Sequence, residues 1–290
     1  MTELSITEFT DPACPFAWSA EPSRRRLEWL YGEQLEWSVR VVGLSSSAEQ
    51  YEGSGFTPER LSASLRSLAE RHHMPMDTSV RPRMSATVPA CRAVVAARLN
   101  APELERALLR RLRVRHFAGE LLDEQSTLAG AGADVGIDPD SLNEWLADPA
   151  TEEALAEDLH LARHPTPEAL ALRHKLASWS EGWRYTCPSY EILRPADGAR
   201  VSVPGFQPLE SYEVAIANLL PTAERRGDPA GVEEVLAWAG EPLATIEVAT
   251  LCKIELEQAR EELGRSAEEN HLGFDGLWSL SANHPSTEAR

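Results

Sequence analysis

Lysine and cysteine are both scarce in this 290-residue chain: the lysines are Lys175 and Lys253 alone, and the cysteines fall at 14, 91, 187 and 252. The four cysteines make no CxxC pair and no Cys/His spacing of the zinc-ligand kind. That argues against a disulfide framework and against a structural metal site. No basic-then-apolar segment opens the chain, and no apolar run reaches the roughly 20 residues needed to span a bilayer. The sequence therefore reads as cytoplasmic, in a compartment that keeps thiols reduced. Basic excess is missing too. Against 46 acids stand 28 Lys and Arg, a net charge of −18, which disfavours nucleic acid or an anionic membrane as a partner. The shortage of lysine beside plentiful arginine is a compositional bias without chemical meaning. Internal repeats and low-complexity tracts are also absent.

What is present is ordinary globular material, 42% hydrophobic and 26% charged, long enough for two domains or one domain with a large insertion. The first forty-odd residues read strand, helix, strand. "LSITEF" is half alternating, and "PSRRRLEWLYG" sets Leu27, Leu30 and Tyr31 against Arg24 to Arg26 on the wet side. "LEWSVRVVGL" alternates Leu35, Trp37, Val39 and Val41 with polar residues. This βαβ start predicts a parallel strand pair. From Thr57 to Arg163 the period turns helical, with Leu104, Leu108 and Leu112 on one face of "ELERALLRRLRVRHF" and arginines opposite. "HPTPEALALRHKLASWSEGW" reads as one more helix. "YTCPSYEIL" and "VSVP" then read as a strand pair, and "LESYEVAIANLL" as a closing helix. After the break at "ERRGDPAGV" come three helices and a strand-like hairpin, a winged-helix pattern. The expected division is a thioredoxin-like α/β domain over 1–56 and 164–226, a helical insertion over 57–163 and a C-terminal winged-helix-like unit over 231–290.

One short stretch carries chemistry. In "TDPACPFAWSAEP" a strand runs into Cys14 and then Pro15 at a helix start. Unpaired amides at a helix start favour thiolate over thiol, and proline fits the first turn without losing a hydrogen bond. Phe16 and Trp18 flank the thiol and would line an apolar substrate pocket. Asp11 would position the turn.

"FTDPACPFAWSAEP", "TVPACRAVVAARLNAPELERALLRRLRVRHF" and "YTCPSYEIL…VSVPGFQPLESYEVAIANL" together resemble the DsbA-like thioredoxin-fold proteins of the FrnE type. These are relatives of 2-hydroxychromene-2-carboxylate isomerase and kappa-class glutathione transferase. The resemblance spans residues 3 to 222. It implies a thioredoxin domain with a helical insertion, and a cis-proline at Pro188 packed against the active cysteine, with Pro204 the competing position. It further implies thiol–disulfide exchange at Cys14, with no resident cofactor and a small thiol such as glutathione or mycothiol as reaction partner.

The chain departs from the dithiol pattern at Ala17, where a resolving cysteine would stand. Three expectations follow: monothiol chemistry at Cys14; an unconventional pair or soft-metal site between Cys14 and Cys187; or a redox-inactive scaffold that binds a peptide or protein partner. A thiol-assisted isomerase is a further alternative. The substrate is expected to be a small molecule or a peptide, and a protein partner would dock on the C-terminal unit. Cys91 and Cys252 read as core residues, and His72 and His73 as a poor ligand pair. Between Thr57 and Gln125 twelve arginines face eight acids, so Arg81, Arg83 and Arg92 are candidates to edge the cleft and attract an anion. From Gly231 onward twelve acids face four bases, a charge balance that excludes DNA binding there.

Overall fold

A computed structural model describes residues 3–53 and 55–281. Strand β1 (Leu4–Thr10) enters helix α1 (Pro15–Ser19), and after Ala20 the chain continues as α2 (Glu21–Tyr31) before returning in β2 (Leu35–Val41). β1 and β2 pair in parallel, with Ile6 opposite Trp37 and Phe9 opposite Arg40, as the βαβ pattern predicts. A short α3 (Glu49–Gly53), not expected from sequence, precedes the helical block α4 (Pro58–His72), α5 (Val88–Asn100), α6 (Glu105–Phe117), α7 (Gln125–Ala133), α8 (Pro139–Ala147) and α9 (Pro149–Arg163). Asp138 and Asp148 cap α8 and α9 through their carboxylates, each followed by proline in the first turn, the usual signature of a helix start.

The segment expected to be one helix after this block divides. Helix α10 (Pro167–Ala171) and a 3-10 turn over Arg173–Lys175 are its helical parts, and a small hairpin of β3 (Ala177–Trp179) and β4 (Gly182–Arg184) follows. The stretch Trp179 to Trp183, with Gly182 at φ 142, turns the chain where a continuous helix was expected. Strands β5 (Ser189–Arg194) and β6 (Ala199–Pro204) then complete a four-stranded sheet in the order β2-β1-β5-β6, with β5 antiparallel to β1. Helix α11 (Leu209–Leu219) covers it.

The last described unit runs α12 (Val232–Ala239), β7 (Leu243–Ala244), α13 (Thr245–Cys252), α14 (Leu256–Ser266), β8 (Ala267–Leu272) and β9 (Asp275–Leu280), with its sheet in the order β7-β9-β8. The three helices and the hairpin lie where the sequence put them. The two-residue β7 was not legible, and the third helix ends earlier, because the run after Ser266 pairs with β9. Residues 282–290 of the expected unit lie outside the described residues.

The C-terminal unit is packed onto the first domain. Leu27, Trp29 and Leu30 of α2 share one apolar core with Val235, Leu236, Val248 and Leu251. Its hairpin reaches the helical block, where Leu272 and Leu277 join Trp18, Leu65, Met74, Met76 and Phe117. Gly273 at the hairpin tip has φ +65, and a Cβ there would meet the Met76 carbonyl oxygen at 2.1 Å, so this close approach requires glycine.

Two readings of arginine are corrected by the fold. Arg24, Arg25 and Arg26, assigned above to a wet helix face, are buried, and so are Arg110 and Arg113 of α6. Glu21 accepts from Arg24 at 2.5 Å and from Arg113, with Arg110 at 3.6 Å. Glu8, in the middle of β1, takes Arg113 at 3.2 Å and Arg106 at 3.3 Å. Glu247 of α13 takes Arg110 at 2.6 Å. Arg24, Arg110 and Arg113 are buried because each finds a carboxylate that was itself removed from water, while Arg26 ends on the Leu251 carbonyl and the half-exposed Asp228. This cluster ties β1, α2, α6 and the C-terminal unit together.

Candidate active site

Cys14 is the N-cap of α1 and Pro15 occupies its first turn. The turn ahead of it is built by Asp11, fully buried, whose carboxylate accepts from the amides of Ala13 and Leu44, both at 2.9 Å, and from the Thr87 hydroxyl at 2.8 Å. Cys91 adds a weaker contact to the same carboxylate at 3.5 Å. Burial raises the Asp11 pKa despite these donors. Asp11 thus positions the thiol, and Cys91 sits in the core behind it.

Cys14 is 5% exposed, and its sulfur lies 3.2 Å from the backbone oxygen of Cys187. The Cys187–Pro188 peptide bond is cis, and both residues are buried. As a thiol, Cys14 donates to that carbonyl. As a thiolate, it is met by the Cys187 thiol and by the amides of Ala17 and Phe16. The hydrogen bond from Cys187, then these two amides, outweigh burial and lower the Cys14 pKa. Burial, together with donation to Cys14, drives Cys187 well above the ordinary thiol range. Helix α1 has five residues, so local donors act on the sulfur here rather than the field of a long helix.

A cavity of about 340 Å³ opens beside Cys14. Ala13, Cys14, Pro15 and Phe16 form one wall, and Tyr51, Phe56, Leu68 and Met84 supply apolar surface. Arg81, Arg83, His116, Ser64 and Ser85 supply its polar atoms. Phe16 is 42% exposed at the site and also borders a shallower depression along Ala63, Ser64, Ser67 and Leu68 of α4.

The candidate residues therefore part company. Cys14, Pro15, Phe16, Arg81 and Arg83 come together at the cavity, while Cys187, with the cis-proline Pro188 after it, meets the sulfur through its backbone oxygen and neither of them lines the cavity. Trp18 does not line it. Its ring is fully buried, stacked on Phe117 at 5.5 Å, with the indole nitrogen donating to the Pro75 carbonyl at 3.0 Å and Arg110 over its face at 4.4 Å. Cys14 is the extended N-cap, outside the helical turns, so its side chain does not share the face of Trp18, which enters the core shared with the C-terminal hairpin. Arg92 is likewise elsewhere, paired with Glu152 at the surface. His72 packs against Phe206 with tilted rings 4.7 Å apart and His73 ends α4 in the left-handed region, and neither lines the cavity. Cys252 is half-buried at the end of α13. Among the described residues, no cluster of three or more His, Cys, Asp or Glu side chains is arranged to hold a metal, and no helix is long and apolar enough to cross a membrane.

Sequence reasoning missed Tyr51, Phe56, Met84 and His116. Tyr51 and Phe56 come from the loop and short helix after β2, Met84 from the α4–α5 connection and His116 from the end of α6. No local motif marks any of them.

The profile of the DSBA-like thioredoxin domain matches residues 5–165, more than half of the chain. The chain belongs to this family. The curated ClpXP adapter protein SpxH of Halalkalibacterium halodurans is 24% identical over 269 residues, covering 90% of this chain and 81% of that protein. Among solved structures, a putative protein disulfide isomerase from Nitrosomonas europaea superposes with a TM-score of 0.55 at 16% identity, over 76% of this chain and 97% of its own. The cytosolic disulfide reductase DsbM from Pseudomonas aeruginosa gives a TM-score of 0.54 at 16% identity, over 76% and 100%. At such identities the structural likeness speaks for the DSBA-like fold, and function has to be argued from the site.

Proposed function

We propose that this DSBA-like protein is a thiol-dependent oxidoreductase with Cys14 as the attacking thiolate. The observation that carries the reading is the unequal pair: donors converge on Cys14 and lower its pKa, while Cys187 is held protonated beside it. Lowered thiol pKa at an accessible pocket is what nucleophilic cysteines require. In the reaction, the Cys14 thiolate attacks one sulfur of a substrate disulfide, forms a mixed disulfide and expels the other sulfur as a thiolate. With Ala17 in place of a resolving cysteine, a second thiol must break that bond.

Cys187 is a poor resolver at neutral pH, since a thiol held protonated attacks slowly. The monothiol cycle is therefore preferred. Two molecules of a small thiol, glutathione or mycothiol in type, are oxidised to their disulfide and the substrate disulfide is reduced to two thiols. The proposal sets this chemistry in the cytoplasm, where such a thiol pool is reducing. No resident cofactor is called for.

The test is mass spectrometry after incubation with glutathione disulfide. The expected result is a mixed disulfide on Cys14 that is absent from Cys14→Ser and retained in Cys187→Ala. Failure of Cys14 to form it, under conditions where a free model thiol exchanges, sinks the reading.

A second reading is an adaptor that binds a protein partner through its C-terminal unit, winged-helix-like in our reading, with Cys14 incidental. It is supported by the name of the SpxH relative, whose match extends over 90% of this chain. Cys14→Ser separates the two, because an adaptor of this kind keeps its partner.

A further inference from the structure

Arg81 is 6% exposed, yet no described carboxylate pairs with it. Its terminal nitrogens lie against His116, on the ring at 3.0 Å and on the backbone oxygen, and its Nε has no hydrogen-bond partner. His116 cannot balance the charge, since burial and then Arg81 itself push its pKa far down and keep it neutral. Burial brings Arg81 down to about 10, with Asp77 acting from beyond ion-pair distance. Every other buried arginine discussed above ends on a carboxylate. An unpaired guanidinium removed from water is costly unless something else supplies the anion.

Arg81 and His116 line the cavity beside Cys14, and the rest of that wall is largely aromatic and aliphatic. We propose that this cavity binds a small apolar carboxylate, an arylalkanoate in type, with the carboxylate on Arg81 and the ring among Phe16, Tyr51 and Phe56. A guanidinium donates to a carboxylate through two parallel N–H groups, and the unpartnered Nε is free to supply one of them. Arg83 is the less suitable anchor, because it is exposed and already paired with Asp123 at 2.7 Å. A cavity of about 340 Å³ is at the small end of ligand sites. The burial of Arg81 also suits a small acid better than a protein segment, since the anion must reach a side chain closed off from solvent.

This inference shares the cavity with the thiol reading but goes beyond it, because no sulfur takes part in the binding. The experiment is calorimetric titration of the full chain with 3-phenylpropionate and, in parallel, with its neutral analogue 3-phenylpropanol. The acid is expected to bind at least about tenfold more tightly than the alcohol, the scale of one charge-assisted hydrogen bond. Arg81→Met is expected to remove that preference and Arg83→Met to keep it. Cys14→Ser is expected to retain it, so a failure of the disulfide chemistry would leave this result standing. Equal binding of acid and alcohol to the unaltered chain would overturn the proposal whether or not Arg81→Met folds. So would undetectable binding of the acid, or a preference that survives in folded Arg81→Met.

Discussion

Two sets of buried arginines divide this molecule. At the joint between the first domain and the C-terminal unit, Arg24, Arg110 and Arg113 are matched by Glu8, Glu21 and Glu247, each guanidinium ending on a carboxylate as buried as itself. At the cavity, Arg81 has only neutral partners. The joint is closed and holds elements together. The cavity leaves a charge unanswered next to a sulfur whose pKa is lowered. Balanced burial serves structure, whereas unbalanced burial marks a place prepared for something else.

The contrast is sharpest in stability. Arg113→Met takes one counter-charge from each of the buried Glu8 and Glu21, leaving Arg106 on the first and Arg24 and Arg110 on the second, and should cost about 3 kcal/mol in urea unfolding, the lower end of the penalty for breaking a buried pair from one side. Arg81→Met removes a charge that nothing compensates and should leave stability within about 1 kcal/mol of the original. Comparable losses from the two substitutions would erase the distinction.

Acid should find the joint first. Burial alone would raise the Glu21 carboxyl, but Arg24, Arg113 and Arg110 overrule it and hold it well below the usual range; Glu8 is lowered in the same way by Arg113 and Arg106. A carboxyl with a depressed folded pKa contributes fully above its unfolded value of about 4.3, and that contribution is lost as pH falls toward the folded value. Unfolding free energy should therefore drop below about pH 4.5, with a shallower slope in Glu21→Gln. An unchanged slope would remove Glu21 from the account.

A smaller effect is expected at the hairpin tip, where Gly273→Ala would force a Cβ onto the Met76 carbonyl at a positive φ. It should cost at least about 1 kcal/mol with the Cys14 alkylation rate unchanged. Smaller still in energy is Cys187→Ala, which removes the main donor to the Cys14 thiolate. Iodoacetamide should then label Cys14 several-fold more slowly at pH 6, and an unaltered rate would assign the activation to the amides alone.

Much of this was legible in the sequence, and what was not has a common cause. The strand–Cys–Pro–helix junction and the alternation of β2 are local patterns, and the fold places both where the pattern says; the cis bond before Pro188 was implied by the family resemblance and is present. Arginines 25, 26, 110 and 113 looked like wet faces because the carboxylates they meet lie far away in the chain, Arg110 and Glu247 being 137 residues apart, whereas Arg24 pairs within its own helix and is buried only because α2 packs into that cluster. A glutamate in mid-strand gives no sign that it will be buried. Trp18 was misplaced because Cys14 is an extended N-cap, so nearness in sequence to Trp18 does not put the two side chains on one face. Arg81 was flagged only within a charged block, and its isolation is a property of the cavity wall.

Thiolate absorbance near 240 nm, followed from pH 4 to 10 in the unaltered chain and in Cys14→Ser, tests the activated sulfur directly. The account predicts a difference curve with its midpoint below the ~8.5 of a free thiol. A midpoint at or above that value would contradict it.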